Sequence, residues 1–589
     1  MPKLQKEKPK RFLYKKIQYD KEVSQRILVL SGFIFVAFMI IFIRLFYLQV
    51  IKHDSYVEKK DDYTSIRQYV SAPRGEIYDC KGRVLAKTVV SHNIVYTSPK
   101  NMSQDDYWLY ANRIVEVFGL DEEELTERDK KEAYITFKSL LDYDDPEYAA
   151  NHLLTEKEQQ EYLSGAWGTY AETVRYGLLY NRIGDDQMKE MKKTEMKACV
   201  IYQRMIANAS SGQENVILED ISDTDVAYLV EHKTEFPGFD VDFGGWKMEY
   251  PYGEALSDVI GSVSTSTEGL PVDYKAYYLQ KGYQLNAPVG KSGLEFQYND
   301  ILSGIAEESI ITYNSKGLAK KEVIREAVKG YDIHLSIDIE LQEELDGIIK
   351  TTLKEYGGTE KRENFQSLFM IIMDPNDGSV KALSGYHMDL ETKEMTYYAS
   401  GNYNSLINPG SSVKGATVYM GLSEGVIKPG EVIDDKVMNI AGEEFGSFKE
   451  HGLVDDIKAL SVSSNVYMFN IAIRLAKGTY IPEQPLIVSD VPGTLNLMRQ
   501  YFTMFGLGNK TGLDVPGEVS GYMSVSSLAG MLLNYSIGQY DMYTPVQMLE
   551  YVSTIATDGK MYQPRIMSYV KEVKSEKVVT ENSKVLRSL

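Results

Sequence analysis

Ser411 and Lys414 stand three residues apart in "INPGSSVKGATVYMGL", residues 407 to 422. Pro409 and Gly410 make a turn ahead of them and the following run reads as a helix, so both side chains fall on one face of its first turn. A serine hydroxyl attacks a carbonyl only after a base takes its proton. A lysine can be that base when burial and the positive end of a helix lower its pKa. The pattern therefore offers acyl transfer through a serine ester. It also offers a serine that caps a helix beside a surface lysine, and on this stretch alone the capping reading is the stronger.

A second cluster shifts the balance. "HGLVDDIKALSVSSNVYMFNIAIRLA" carries Ser463-Ser464-Asn465 between two helical stretches. In extended backbone, Ser463 and Asn465 at i and i+2 point the same way. A second hydroxyl can relay a proton toward a leaving amine, and an amide can hold a substrate carbonyl and the lysine. The plainer reading is one more N-cap, before "NVYMFNIAIRLA". Two such clusters in this order make coincidence a poor account.

Both clusters sit in a region that reads as α/β from about residue 331. "DIHLSIDIELQEELDGIIKTTLKEY" is a strand followed by an amphipathic helix, and "SLFMIIMDPNDGSVKALSGY" is a buried hairpin turned at Asn376-Asp377-Gly378. Residues 52 to about 330 mix short β-type runs, Gly/Pro punctuation and polar helical stretches such as "DEEELTERDKKEAYITFKSLL". The acidic, tyrosine-rich "LDYDDPEYAANHLLTEKEQQEYL" reads as solvated helix, not as a catalytic carboxylate pair. No repeat of solenoid period interrupts the chain.

At 589 residues and 43% hydrophobic, the chain exceeds one core and divides into two or three domains. Its net charge of -20 argues against nucleic acid as a partner. The seven histidines are scattered without an HExxH, so neither a metal site nor a cofactor is expected. Cys80 and Cys199 are too few for a disulfide framework. Residues 1–26 hold nine Lys/Arg against three acids, and Ile27 to Ile43 then runs 17 residues without a charge. With the apolar residues after Arg44, the segment 27–51 is long enough to cross a hydrocarbon core of about 30 Å. It reads as an uncleaved single-pass anchor in the cell membrane, with a cytoplasmic basic tail and everything after about Lys52 extracytoplasmic.

The whole pattern resembles the class B penicillin-binding proteins, bacterial peptidoglycan D,D-transpeptidases, which carry Ser-x-x-Lys and Ser-x-Asn elements. "RGEIYDCKGRVLAKT" (74–88) is similar to the box that opens their extracytoplasmic part, with Cys80 where an arginine is usual. "FPGFDVDFGGWKMEYPYGEALSDVIGSV" (236–263) resembles a second block, with Met248 where an arginine often stands. "APVGKSGLEFQYNDILSG", "FGLGNKTGLDVPGE" and "NYSIGQYDMYTPVQMLEYVSTIATDG" match further landmarks. The resemblance implies an elongated α+β pedestal or dimerisation-type domain over 52–330. An α/β transpeptidase domain of serine β-lactamase type, an antiparallel sheet covered by helices, would occupy 331–589. It makes Ser411 the acyl-forming nucleophile, Lys414 its general base, Ser463 the proton relay and Asn465 the substrate-positioning amide. Peptidoglycan stem peptides would be the substrate, with D-Ala released, and β-lactam antibiotics would acylate the same serine. Cell-wall synthesis proteins, such as a glycosyltransferase, would be partners.

The family's third element, Lys-Thr-Gly, belongs on a strand that walls the cleft, after "IATDGKMYQPRIMSYVKEV". Lys510-Thr511-Gly512 stands instead upstream of "SIGQY" and reads as a loop. The expectation is a chain that stops before that strand, with an incomplete sheet. A catalytically impaired or inactive scaffold of the cell-wall synthesis complex is the alternative reading.

Overall fold

The computed structural model describes residues 21–589 apart from 53–64, 100–101, 121–124, 138–152, 190, 208–213, 314–318, 573–577 and 581–583. The basic tail to residue 20 and the first half of the acidic, tyrosine-rich stretch, 141–152, thus lie outside the described residues. Helix α1 (Lys21–Phe46) continues through one π-helical turn, Tyr47–Ile51. Gly32–Ile51 has a mean hydropathy of 2.5, and none of it is buried against protein. Over 32–51 the phenylalanines and isoleucines all face outward, which matches lipid and not a protein core. Contacts divide the chain into one unit built on this helix with Ser309–Val323 and another of Tyr69–Glu308 with Ile324–Leu589. Strands Ser65–Val70, Glu307–Tyr313 and Ala319–Arg325 form a three-stranded sheet in that order.

In the larger unit, β1 (Ile77–Tyr78), β2 (Val84–Tyr96), β3 (Asn215–Leu218), β4 (Phe239–Glu249) and β5 (Asp332–Leu335) share one sheet. Its order is β5-β1-β2-β3, with β4 alongside β2 and strands Met567–Lys571 and Val578–Thr580 extending it beyond β5. The helices over its β2-β3-β4 end are amphipathic and bury Ile114, Tyr134, Cys199, Ile201 and Met205. Cys80 is exposed and Cys199 buried, and both are free thiols.

Arg74, at the head of the first family-like block, reaches across to Glu295 and Asn299 in "SGLEFQYND". Its Nη2 donates to Glu295 Oε2 at 2.6 Å and its Nη1 to Asn299 Oδ1 at 2.9 Å. Arg74 is 1% exposed and Glu295 0%, so each charge is the other's substitute for water.

The region from 331 opens with β5 and helix α2 (Ile339–Tyr356), capped by Asp338. The hairpin pairs β6 (Ser367–Met373) with β7 (Val380–Met388), and β8 (Met395–Tyr397) adds the third antiparallel strand in the order β8-β7-β6. Helix α2 covers β7 and buries Ile349 and Leu353 with Val380 and Leu383. Among the described residues β6 pairs only with β7, so the sheet is open at β6, as expected from the sequence. Every side chain in "LFMII" is apolar, a composition suited to a strand covered on both faces.

Helices α3 (Lys414–Ser423) and α4 (Asn465–Leu475) pack on each other through Ala416, Met420, Met468, Ile471 and Ala472, with the two-stranded ribbon of β9 (Ile433–Asp435) and β10 (Gly452–Val454) alongside. Helix α5 (Pro545–Ala556) lies against β6 and starts with a capping box at Thr544.

Candidate active site

Ser411 lies in a 3-10 turn, Gly410–Val413, that leads into α3. The turn is braced from behind. Ile407 and Tyr543 exchange both backbone hydrogen bonds at 2.9 Å, and Gly410 N–H donates to Gly538 O at 2.9 Å. Gly538 has a φ of +75°, and a Cβ there would lie 2.2 Å from the Gly410 carbonyl oxygen, so only glycine permits this approach. Thr417 Oγ1 donates to Ser536 O at 2.8 Å, and the Tyr551 hydroxyl lies against Gly415, 2.6 Å from where a Cβ there would stand. "SIGQYDMYTP" and α5 thus fix where the serine stands. Ser411 itself is exposed, and its hydroxyl makes no capping bond to the helix.

Lys414 is 2% exposed. Its Nζ donates to Asn465 Oδ1 at 2.6 Å, Ser463 O at 2.8 Å and Ser463 Oγ at 3.1 Å. No carboxylate touches it. Burial pushes its pKa down to about 8, and the charge of Asp435 pulls the other way. Three acceptors use all three donors of an ammonium, whereas an amine keeps two bonds and has a lone pair to spare. Ser411 Oγ is not hydrogen-bonded to Nζ in this structure, although the i, i+3 spacing puts both on one face. Catalytic bonds commonly tighten only with substrate present.

The structure brings Lys414, Ser463 and Asn465 together, but not through the extended backbone that the i, i+2 spacing suggested. Ser463 has a φ of +58°, the left-handed region that costs a non-glycine residue roughly 1–2 kcal/mol. Asn465 is already the first residue of α4. The left-handed step turns the chain so that the carbonyl and hydroxyl of Ser463 both face Nζ. The capping role falls to Ser464, whose Oγ accepts from Tyr467 N at 3.0 Å.

Asn465 is held in turn. Its Nδ2 donates to Gly446 O at 2.9 Å and its backbone N–H to Ser447 Oγ at 2.8 Å, and Ser447 Oγ donates to Asp435 Oδ2 at 2.9 Å. Sequence reasoning missed Ser447, Asp435, Tyr551 and Gly538. The one available signal was "VIDDKVMNI", an alternating strand in which one of two adjacent aspartates must face inward.

Lys510-Thr511-Gly512 is a loop, not a strand. Glu518 ties it down, accepting from Thr511 N at 2.6 Å, Thr511 Oγ1 at 2.7 Å and Gly512 N at 3.1 Å. Among the described residues the grouping with metal-ligand potential is Asp79, Cys80 and Asp338, and Lys81 and Arg83 already engage both carboxylates.

Comparison with known proteins gives two domain matches. Residues 69–335 match the penicillin-binding protein dimerisation domain and residues 368–588 the penicillin-binding protein transpeptidase domain. Penicillin-binding protein 2A of Bacillus subtilis is 34% identical over 579 residues, covering 98% of this chain and 79% of that protein. Peptidoglycan D,D-transpeptidase MrdA of Escherichia coli K12 is 25% identical over 388 residues, covering 59% of this chain and 55% of that protein. Among solved structures, penicillin-binding protein 2B of Streptococcus pneumoniae strain 5204 superposes with a TM-score of 0.67 at 26% identity, over 89% of this chain and 84% of that one. Penicillin-binding protein 2 of Helicobacter pylori, solved in complex with MreC, shares the fold, with a TM-score of 0.54 at 16% identity over 88% of this chain and 80% of that one.

Proposed function

Because the chain belongs to the class B penicillin-binding proteins, we propose that Ser411 is its acyl-forming nucleophile and Lys414 the base that activates it. The family activity is peptidoglycan D,D-transpeptidation, with β-lactams as inhibitors of the same serine. One observation carries the residue assignment: a lysine buried without a carboxylate contact, three residues after an exposed serine and bonded to both Ser463 and Asn465.

With a pKa of about 8, roughly one Lys414 in ten is a neutral amine at pH 7. That amine takes the Ser411 Oγ proton as Oγ bonds to the penultimate D-Ala carbonyl carbon. The Ser411 N–H, at the positive end of α3, donates to the developing oxyanion. The carbon–nitrogen bond then breaks, and Ser463 Oγ passes the proton from Lys414 to the leaving D-Ala amine. An amine of a neighbouring strand resolves the ester, returning the serine its proton. Asn465 holds Lys414 and receives the substrate amide.

The excess of Lys/Arg before α1 favours a cytoplasmic N-terminus, leaving residues after about 52 extracytoplasmic. We read 1–26 as tail, 27–51 as anchor, 52–330 as pedestal and 331–589 as catalytic region. A protein of the same fold is solved in complex with MreC, and the pedestal of this chain would dock cell-wall synthesis proteins, a glycosyltransferase among them.

The open edge of β6 favours a second reading, a scaffold with impaired catalysis. Labelling the purified chain with a fluorescent penicillin separates the two. Covalent label that disappears in Ser411→Ala supports the enzyme, whereas a native chain that takes no label leaves the scaffold.

A further inference from the structure

Asp435 is 1% exposed at the end of β9. Its Oδ2 accepts from Ser447 Oγ, and its Oδ1 is buried without a partner. The β9–β10 pairing is made by backbone groups and does not need this side chain. A buried carboxylate with one oxygen unsatisfied costs stability, so its retention asks for another account.

The hydrogen bonds run in one direction. Ser447 has a single hydroxyl proton, which goes to Asp435, so its oxygen is left as acceptor for the Asn465 N–H. Asp435 therefore sets the rotor of Ser447, Ser447 sets the start of α4, and Asn465 sets Lys414. The nearby charges are otherwise engaged. Asp434 pairs with Lys436 at 2.7 Å and Glu431 with Arg474 at 2.6 Å. Glu450 takes the Val437 amide, and Asp456 on the helix before Ser463 takes that of Gly430. On the far sides of α3, the Tyr551 hydroxyl lies against Gly415 and Arg499 is paired with Asp541. Asp435 is left as the counter-charge to Lys414.

Resting on the reading of Ser411 and Lys414 as nucleophile and base, we propose that Asp435 is a positioning residue of the proton-transfer apparatus. Through Ser447 it fixes Asn465 against Lys414, and its unpaired charge stabilises the ammonium formed when Lys414 takes the serine proton.

The test is the rate of penicillin acylation of the full detergent-purified chain against pH. Asparagine at 435 can still accept from Ser447 but carries no charge. Asp435→Asn is therefore expected to move the midpoint of the profile to lower pH by about half a unit or more, whatever its plateau rate. Asp435→Glu should restore much of the shift. A midpoint identical to the native one overturns the proposal. Should Asp435→Asn fail to fold, Ser447→Ala carries the test: acylation about tenfold slower or worse supports the relay, and a native rate overturns it. Labelling that persists in Ser411→Ala would instead overturn the site assignment itself.

Discussion

Two basic side chains are buried among the described residues, Arg74 just ahead of β1 and Lys414 at the head of α3. Arg74 faces a carboxylate and an amide oxygen, so its charge is matched within the protein. Lys414 faces a carbonyl, a hydroxyl and an amide, neutral acceptors that hold it in place without paying back its desolvation. The first arrangement locks together two segments 221 residues apart. The second leaves a cation close to giving up its proton. Burial alone does not make a lysine a base; burial without a touching carboxylate does.

Exchanging each cation for methionine should break the comparison in opposite directions. Lys414→Met is expected to slow acylation by a fluorescent penicillin by about 10²–10⁴-fold, the usual worth of a positioned base. Thermal unfolding of the same variant should show no loss of stability, since it removes a poorly solvated charge. An acylation rate within a few-fold of native would end the case for Lys414 as base. Arg74→Met reverses the pattern. It strands Glu295 in the interior and should cost about 3–5 kcal/mol, read as a drop in the melting temperature of the purified chain. In the fraction that remains folded, the pH midpoint of acylation should stay where it is. A melting temperature equal to native would show that the pair holds little.

How much of this was readable follows the same division. Ser411, Lys414, Ser463 and Asn465 were legible because their chemistry depends on residue type and short spacing. The strand and helix of 332–356 and the 367–386 hairpin were legible from periodicity and from a turn with glycine at φ +76°. The partnership of Arg74 with Glu295 was not, because nothing local in either segment names the other. The left-handed backbone at Ser463 was hidden as well, since serine has no intrinsic preference for it and the packing of α4 imposes it. Asp435 was hidden for a third reason: beside Asp434 on an exposed-looking ribbon, only the fold decides which of the two turns inward.

Another buried ionisable group tests the comparison most finely. Glu550 on α5 is 2% exposed, with Oε1 unpartnered and Gly506 so close that a Cβ there would lie 2.1 Å from Oε2. Burial pushes its pKa up to about 8, the charge of Glu518 adds to the shift, and Arg587 opposes it. Neither matched like Arg74 nor held by neutral acceptors like Lys414, this carboxyl stays protonated at neutral pH. The folded chain therefore keeps a proton that the unfolded chain has lost, across the interval from about 4.5 to about 8. The resulting stabilisation is complete below that interval and fades as pH rises through it, because above it an unpaired carboxylate is buried. Glu550→Gln keeps the shape and removes the proton, so the native melting temperature should fall relative to the variant's from pH 5 to pH 8, by a few degrees. Melting curves that stay parallel across this range would mean that Glu550 finds a partner or water in solution, and that burial here does not set its charge.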